Sequence, residues 1–91
     1  MSPICYSPST GNSLEDPVVI TGARTDLEGT AAVFGWLIRE FGGMNIDWRL
    51  HVKRGHHDGR RHIDIYEIQT KSGEDVTRFF DVTESFGKFS R

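Results

Sequence analysis

Apolar and polar positions change period along this chain. From residue 46 to 53, Ile46, Trp48, Leu50 and Val52 interleave with Asp47, Arg49, His51 and Lys53. A period of two sends one set to a buried face and the other to water, so this segment predicts a half-buried strand. From residue 27 to 41 the period is helical. Leu27, Ala31, Phe34, Ile38 and Phe41 recur at helical spacing, with Leu37 beside them, and form one stripe. Thr25-Asp26-Leu27-Glu28 just ahead reads as a capping box, in which Thr25 accepts from the third helical amide and Glu28 reaches back to the cap amide. Asp26 and Glu28 also suit the positive end of a helix. Gly42-Gly43 stops it, because glycine takes a left-handed cap without strain. The spacing predicts a helix over residues 26–41.

Three further strands complete the pattern. Val18-Val19-Ile20-Thr21 is a short β-branched run ending at Gly22, and residues 62–70 and 75–83 flank a Ser72-Gly73 turn. Residues 55–59 read as the turn before them. Setting Arg54 opposite Arg61 places Val52 on Ile63 and Leu50 on Ile65. Setting Lys71 opposite Glu74 places Ile65 on Phe80, Ile63 on Val82 and Glu67 on Arg78. Apolar residues then meet apolar ones and a charge meets its opposite, as cross-strand energetics prefer. A slip of one residue would invert the faces.

The element order β-α-β-β-β predicts an α+β fold. It is a two-layer sandwich, one helix on a mostly antiparallel sheet that contains a three-strand meander. The helix is expected over the Leu50/Ile65/Phe80 face. The first strand is expected parallel to the second or to the fourth, because the helix crosses between them. Phe86 and Phe89 are expected to close one end of the core.

Composition sets the scale. At 91 residues there is room for one domain. Residues 1–16, MSPICYSPSTGNSLED, lack periodicity and read as a flexible N-terminal tail; residues 17–91 form the single small domain, with no proline after Pro17. A core this small supplies about 3–5 kcal/mol, so dimerisation would help. Eleven Lys and Arg against 13 Asp and Glu give a net charge of −2. No apolar run approaches the ~18 residues of a membrane span, and no signal-peptide pattern is present. Cys5 is the single cysteine, so no intrachain disulfide forms, and nothing in its sequence surroundings lowers its pKa. Together these features point to a small soluble, cytoplasmic protein.

Four groupings could carry chemistry. With Leu27 at the core centre, Trp36 falls on the back of the helix beside Gly29, Ala32 and Val33, and an exposed tryptophan among small residues suggests a partner surface. The plainer account is that Ile4, Cys5 and Tyr6 fold over it. The register places Arg49, Tyr66 and Phe79 in one row of the open sheet face, where aromatic rings beside cations can stack bases and attract phosphate. The plainer account there is cross-strand pairing. Arg49, Lys53, Arg54, Arg60 and Arg61 stand against a single carboxylate, Asp58, in the hairpin, so its tip is a polyanion candidate or simply a solvated face. Finally, His51, Asp64 and Asp81 fall in one row that could hold a divalent metal or an acid/base pair, although their spacing matches no metal motif.

Two apparent motifs fail. Val18-Val19-Ile20-Thr21-Gly22-Ala23 resembles the start of a dinucleotide-binding turn, but Arg24 and Leu27 stand where its further glycines belong. Ser85, His51 and Asp81 lack any nucleophile elbow. The reading that results is an interaction module, protein-binding or self-associating, without a cofactor, with an enzyme left open as the less favoured reading. Its expected binding residues are Trp36, Arg49, Lys53, Arg60, Arg61, Tyr66 and Phe79. The alternatives are nucleic-acid or anionic-ligand binding, and a metal or acid/base site at His51/Asp64/Asp81.

Overall fold

The computed structural model describes residues 4–89. Its elements are β1 (Cys5–Tyr6), β2 (Val18–Thr21), α1 (Asp26–Phe41), β3 (Trp48–Asp58), β4 (Arg61–Thr70) and β5 (Asp75–Asp81). One helix packs on a five-stranded mixed sheet of order β1-β2-β5-β4-β3. This is the expected α+β architecture with its β3-β4-β5 meander. Of the two neighbours expected for β2, the structure uses β5: Val18 lies beside Phe80 and Val19 beside Asp81 in a parallel pair.

α1 has the expected bounds. Thr25 is its N-cap and accepts from the Glu28 amide at 3.1 Å, while Gly42 at the C-cap donates to the Ile38 carbonyl. Glu28 reaches back one residue further than a capping box does and accepts from the amide of Arg24 at 2.9 Å. The same orphan-donor logic operates, displaced by one position.

The strand register differs from the expected one, for identifiable reasons. The β4–β5 loop has three residues, Lys71-Ser72-Gly73, with Gly73 at φ +90°. Thr70 donates to the Glu74 carbonyl at 2.8 Å, and Ile65 therefore faces Phe79 instead of Phe80. A three-residue hairpin ending in a left-handed glycine is a favoured alternative to the two-residue turn. That single step inverts the faces. β3 runs on to Asp58, which pairs with Arg61 across Gly59-Arg60, so the expected turn at 55–59 is mostly strand. A bulge at His51 then separates Leu50, opposite Ile68, from Val52, opposite Glu67.

The sheet rows beneath α1 are therefore Leu50–Ile68–Val76, Lys53–Tyr66–Arg78 and Gly55–Asp64–Phe80. Val18, Ile20, Val33, Leu37, Trp48, Tyr66, Ile68 and Phe80 form the centre of the core. Ile46 lies in the turn before β3, and Phe86 and Phe89 are exposed, so none of these closes the core.

Residues 4–16, expected as part of a flexible tail, are placed against the sheet. β1 pairs antiparallel with β2, the Tyr6 hydroxyl donates to the Ala32 carbonyl at 2.7 Å, and Phe79 donates to the Gly11 carbonyl at 2.8 Å. Gly11 is buried at φ +72°, and a Cβ there would lie 3.0 Å from Val18 and 3.3 Å from the Phe79 carbonyl, a place that suits a residue without a side chain. Residues 1–3 of that segment and residues 90–91 of the domain lie outside the described residues.

Candidate interaction surface and a buried histidine–aspartate pair

α1 sits on the sheet through Gly29, Ala32, Val33, Trp36 and Leu37. This corrects the expected orientation in part: Leu27, Ala31 and Ile38 of the stripe assigned to the core point away from it, while Leu37 is buried as expected. Leu27 is 78% exposed and Ile38 48%, and Ala31 is exposed between them. Trp36, expected on the surface, is only 7% exposed and meets Phe80 and Phe41 edge-on at ring distances of 5.2 and 6.4 Å. The cause is packing distance. Gly29 and Ala32 let the helix lie close to its support: a Cβ on Gly29 would come within 2.3 Å of Ser85 Oγ. A helix seated on its small residues can lodge one large ring, and Trp36 fills that space. Phe34 and Phe41 are half-buried at the margins.

The result is a helix apolar on two sides with only one side covered. Past its C-terminus Met44 and Ile46 are exposed, Ile46 by 73%. At its N-terminus Asp26 donates to the Lys88 carbonyl, which brings the exposed Phe89 to that end. Tyr6 borders the outer face, with the Arg39 guanidinium 5.0 Å from its ring centre.

The expected aromatic–basic row is not assembled. Tyr66 is fully buried under α1, edge-on to Phe34 and Phe80, with the Lys53 ammonium 5.6 Å from its ring centre. Phe79 lies on the opposite sheet face beside Ile65, and Arg49 reaches Gln69 at 2.9 Å. The hairpin cations are also largely engaged. Arg61 pairs with Asp58 at 2.9 Å and Arg54 with Glu67 at 2.6 Å, which leaves Arg60 in the turn.

The His51/Asp64/Asp81 row does not form either. His51 is exposed at the bulge, Asp64 faces α1, and Asp81 is on the far face, accepting from the Thr83 amide and hydroxyl at 3.0 and 2.6 Å. Among the described residues no three His, Cys, Asp or Glu side chains converge as metal ligands.

What the structure does bring together is His62 with Asp64, two positions apart and hence on one face of β4. His62 Nε2 lies 3.1 Å from Asp64 Oδ1. With Asp64 ionised, Nε2 is the donor in this contact. Phe86 stacks on the imidazole with ring centres 3.5 Å apart, and His57 meets it edge-on. A cleft of about 250 Å³ lies beside the pair, lined by Asp26, Thr30, Lys53, Asp64 and Phe86 among others. Burial holds the Asp64 carboxyl above the usual carboxylate range, against the pull of Lys53 and His62. Burial, reinforced by Asp64 and Asp26, raises the Tyr66 phenol well above its ordinary value. His62 Nδ1 and Tyr66 Oη are buried without a protein partner. The nitrogen that would have to meet a substrate is thus covered, and the arrangement is a polar patch inside the layer.

Sequence inspection missed both features. The His62–Asp64 pair was signalled by two titratable residues at strand spacing. The outer apolar face was itself the strongest helical stripe, assigned to the wrong side. Among the described residues no helix is long and apolar enough to cross a membrane. Comparisons with family models, with curated proteins and with solved structures find no match.

Proposed function

We propose that this chain is a protein-interaction module that docks a polypeptide on the outer face of α1. The observation that carries this reading is the exposure of Leu27 and Ile38 on a helix whose opposite face is already packed. A helix apolar on both sides is a buried helix, so the outer side calls for a cover. Met44 and Ile46 extend the surface past one end and Phe89 past the other. Exposed apolar residues gathered on and beyond one helix face support a partner surface more than single scattered ones do.

A polyanion site has less support, since Arg54 and Arg61 are ion-paired and Tyr66 is out of reach of a stacked base. An acid/base site at His62–Asp64 has less support because the free imidazole nitrogen is covered.

The test is selection from a displayed library of amphipathic helical peptides. Wild type should enrich sequences with an apolar stripe, and the Leu27→Glu/Ile38→Glu variant should lose that enrichment while keeping its circular dichroism spectrum. Equal enrichment on both proteins would overturn the proposal.

A further inference from the structure

The outer face of α1 is complementary to itself, and we infer that its occupant is a second copy of this chain, docked helix to antiparallel helix about a two-fold axis. The inference rests on the docking surface proposed above and names its partner.

The argument is one of positions. At about 100° per residue, Leu27, Ile38 and Ala31 lie within roughly 40° of one another, and Gly35, Glu28 and Arg39 follow along one flank. An isologous contact makes residue i meet j while j meets i. In an antiparallel pair about a two-fold in the contact plane, each flank meets the same flank of the other helix, run in reverse. Centred near residue 33, that operation sets Leu27 against the partner's Ile38 and Ala31 against the partner's Gly35. It also sets Glu28 against the partner's Arg39. Each contact occurs twice. Large side chains meet at both ends, small ones meet at the centre where the axes come closest, and each charge finds its opposite.

A parallel pair about a two-fold along the helices would put the Glu28–Arg39 flanks of the two copies on opposite sides of the contact, so these charges would not meet. The antiparallel pair also opposes the two helix dipoles. It brings the exposed Phe89 at the start of one helix toward Met44 and Ile46 beyond the end of the other. Residues outside the helix therefore enlarge the contact. A helix of about 24 Å would otherwise be short of the ~800 Å² per partner of a stable interface.

Glu28 keeps Oε1 on the Arg24 amide at 2.9 Å, so Oε2 is the oxygen that meets the partner's Arg39. Arg39 is exposed and makes a cation–π contact with Tyr6, and Glu28 has the exposed Arg24, at 3.5 Å, as its side-chain ion-pair partner.

Sedimentation equilibrium between about 10 and 500 µM, with circular dichroism as a folding check, tests the inference. Wild type should show a monomer–dimer equilibrium, and Ile38→Glu should weaken it at least about 30-fold, as expected for a charge buried in a small apolar contact. Glu28→Arg and Arg39→Glu should each weaken the homodimer about tenfold, because either creates two like-charge contacts. An equimolar mixture of those two variants should associate about as well as wild type, since both contacts are then opposite in sign.

A mixture no tighter than the separate variants would overturn the antiparallel arrangement. A wild-type monomer at 500 µM would overturn the second copy as occupant. If peptide selection still mapped to Leu27 and Ile38, the docking surface itself would stand. If selection failed as well, both readings would fall.

Discussion

α1 carries a leucine on each of its two apolar faces. Leu37 is fully buried against the sheet, whereas Leu27 is 78% exposed. The residue type is the same, the helix is the same and the solvent exposure is opposite. Hydrophobicity alone therefore does not choose the face that packs. The inner face differs in shape, because Gly29 and Ala32 lower its profile beside Trp36 and Val33. The outer face has its small residues, Ala31 and Gly35, at the centre and its large ones at the ends. One profile fits a sheet that offers Phe80 and Tyr66, and the other is the one proposed to receive a second helix.

The sharpest way to break this comparison is to truncate both leucines. Leu37→Ala should destabilise the fold by about 2–5 kcal/mol, the transfer and cavity cost of a buried leucine. Leu27→Ala should stay within about 0.5 kcal/mol at low protein concentration, where association does not add to stability. Urea unfolding followed by Trp36 and Trp48 fluorescence measures both. Similar losses in the two variants would mean that the outer face is packed within the monomer.

The glycines give a smaller effect of opposite sign on the two faces. Gly35→Ala should stabilise the fold by up to about 1 kcal/mol, since alanine is the better helix former and its methyl meets only the Tyr6 hydroxyl at 3.4 Å. Gly29→Ala should destabilise by about 1–2 kcal/mol despite the same helical gain, because its methyl would meet buried Ser85 at 2.3 Å from Oγ and 3.3 Å from Cβ. Thermal melts of the two variants check this. A stabilised Gly29→Ala would show that Ser85 turns aside cheaply and that close approach is not what seats the helix.

The same contrast explains what could be read from the residues alone. The ends of α1 were legible because Thr25, Glu28 and Gly42 act within a few residues of themselves. The strands were legible wherever alternation ran for five residues or more. The rotation of α1 was not, because Leu27/Ala31/Phe34/Ile38 and Val33/Trp36/Leu37 are both apolar arcs, and only tertiary contact at Gly29 distinguishes them. The register failed at both hairpins: β3 and β4 turn at Gly59-Arg60 instead of across 55–59, and Gly73 closes a three-residue loop as readily as it ends a two-residue turn, the two choices there putting Tyr66 on opposite faces. Bulging at His51 leaves no mark in a sequence that alternates straight through it. β1, two residues long, is too short to show any period. The candidate site inherited these errors, since the Arg49/Tyr66/Phe79 and His51/Asp64/Asp81 rows both assumed the slipped register.

The smallest expected effect concerns the polar end of the inner layer, where Asp64 departs from the apolar rule that the leucines illustrate. Burial keeps its carboxyl more readily protonated in the fold than in the unfolded chain. The folded state therefore binds more protons than the unfolded state between the ordinary carboxylate pKa and the raised one. In that window stability falls as pH rises. The favourable contribution is fully present below the ordinary value and is lost as pH climbs through the raised value, so the cost of a buried charge persists at neutral pH. Asp64→Asn keeps an oxygen that can accept from His62 Nε2 and removes the charge. Lys53, His62 and Asp26, which also act on Asp64, remain in both proteins, so the difference between the two stability profiles isolates the carboxyl. The variant should have the higher urea midpoint at neutral pH, with the gap closing toward about pH 3, where Asp64 is protonated in both states. A variant less stable at neutral pH would show that the attraction of Lys53 and His62 for the carboxylate outweighs its burial. The polar end of the layer would then help to hold α1 in place, alongside Leu37.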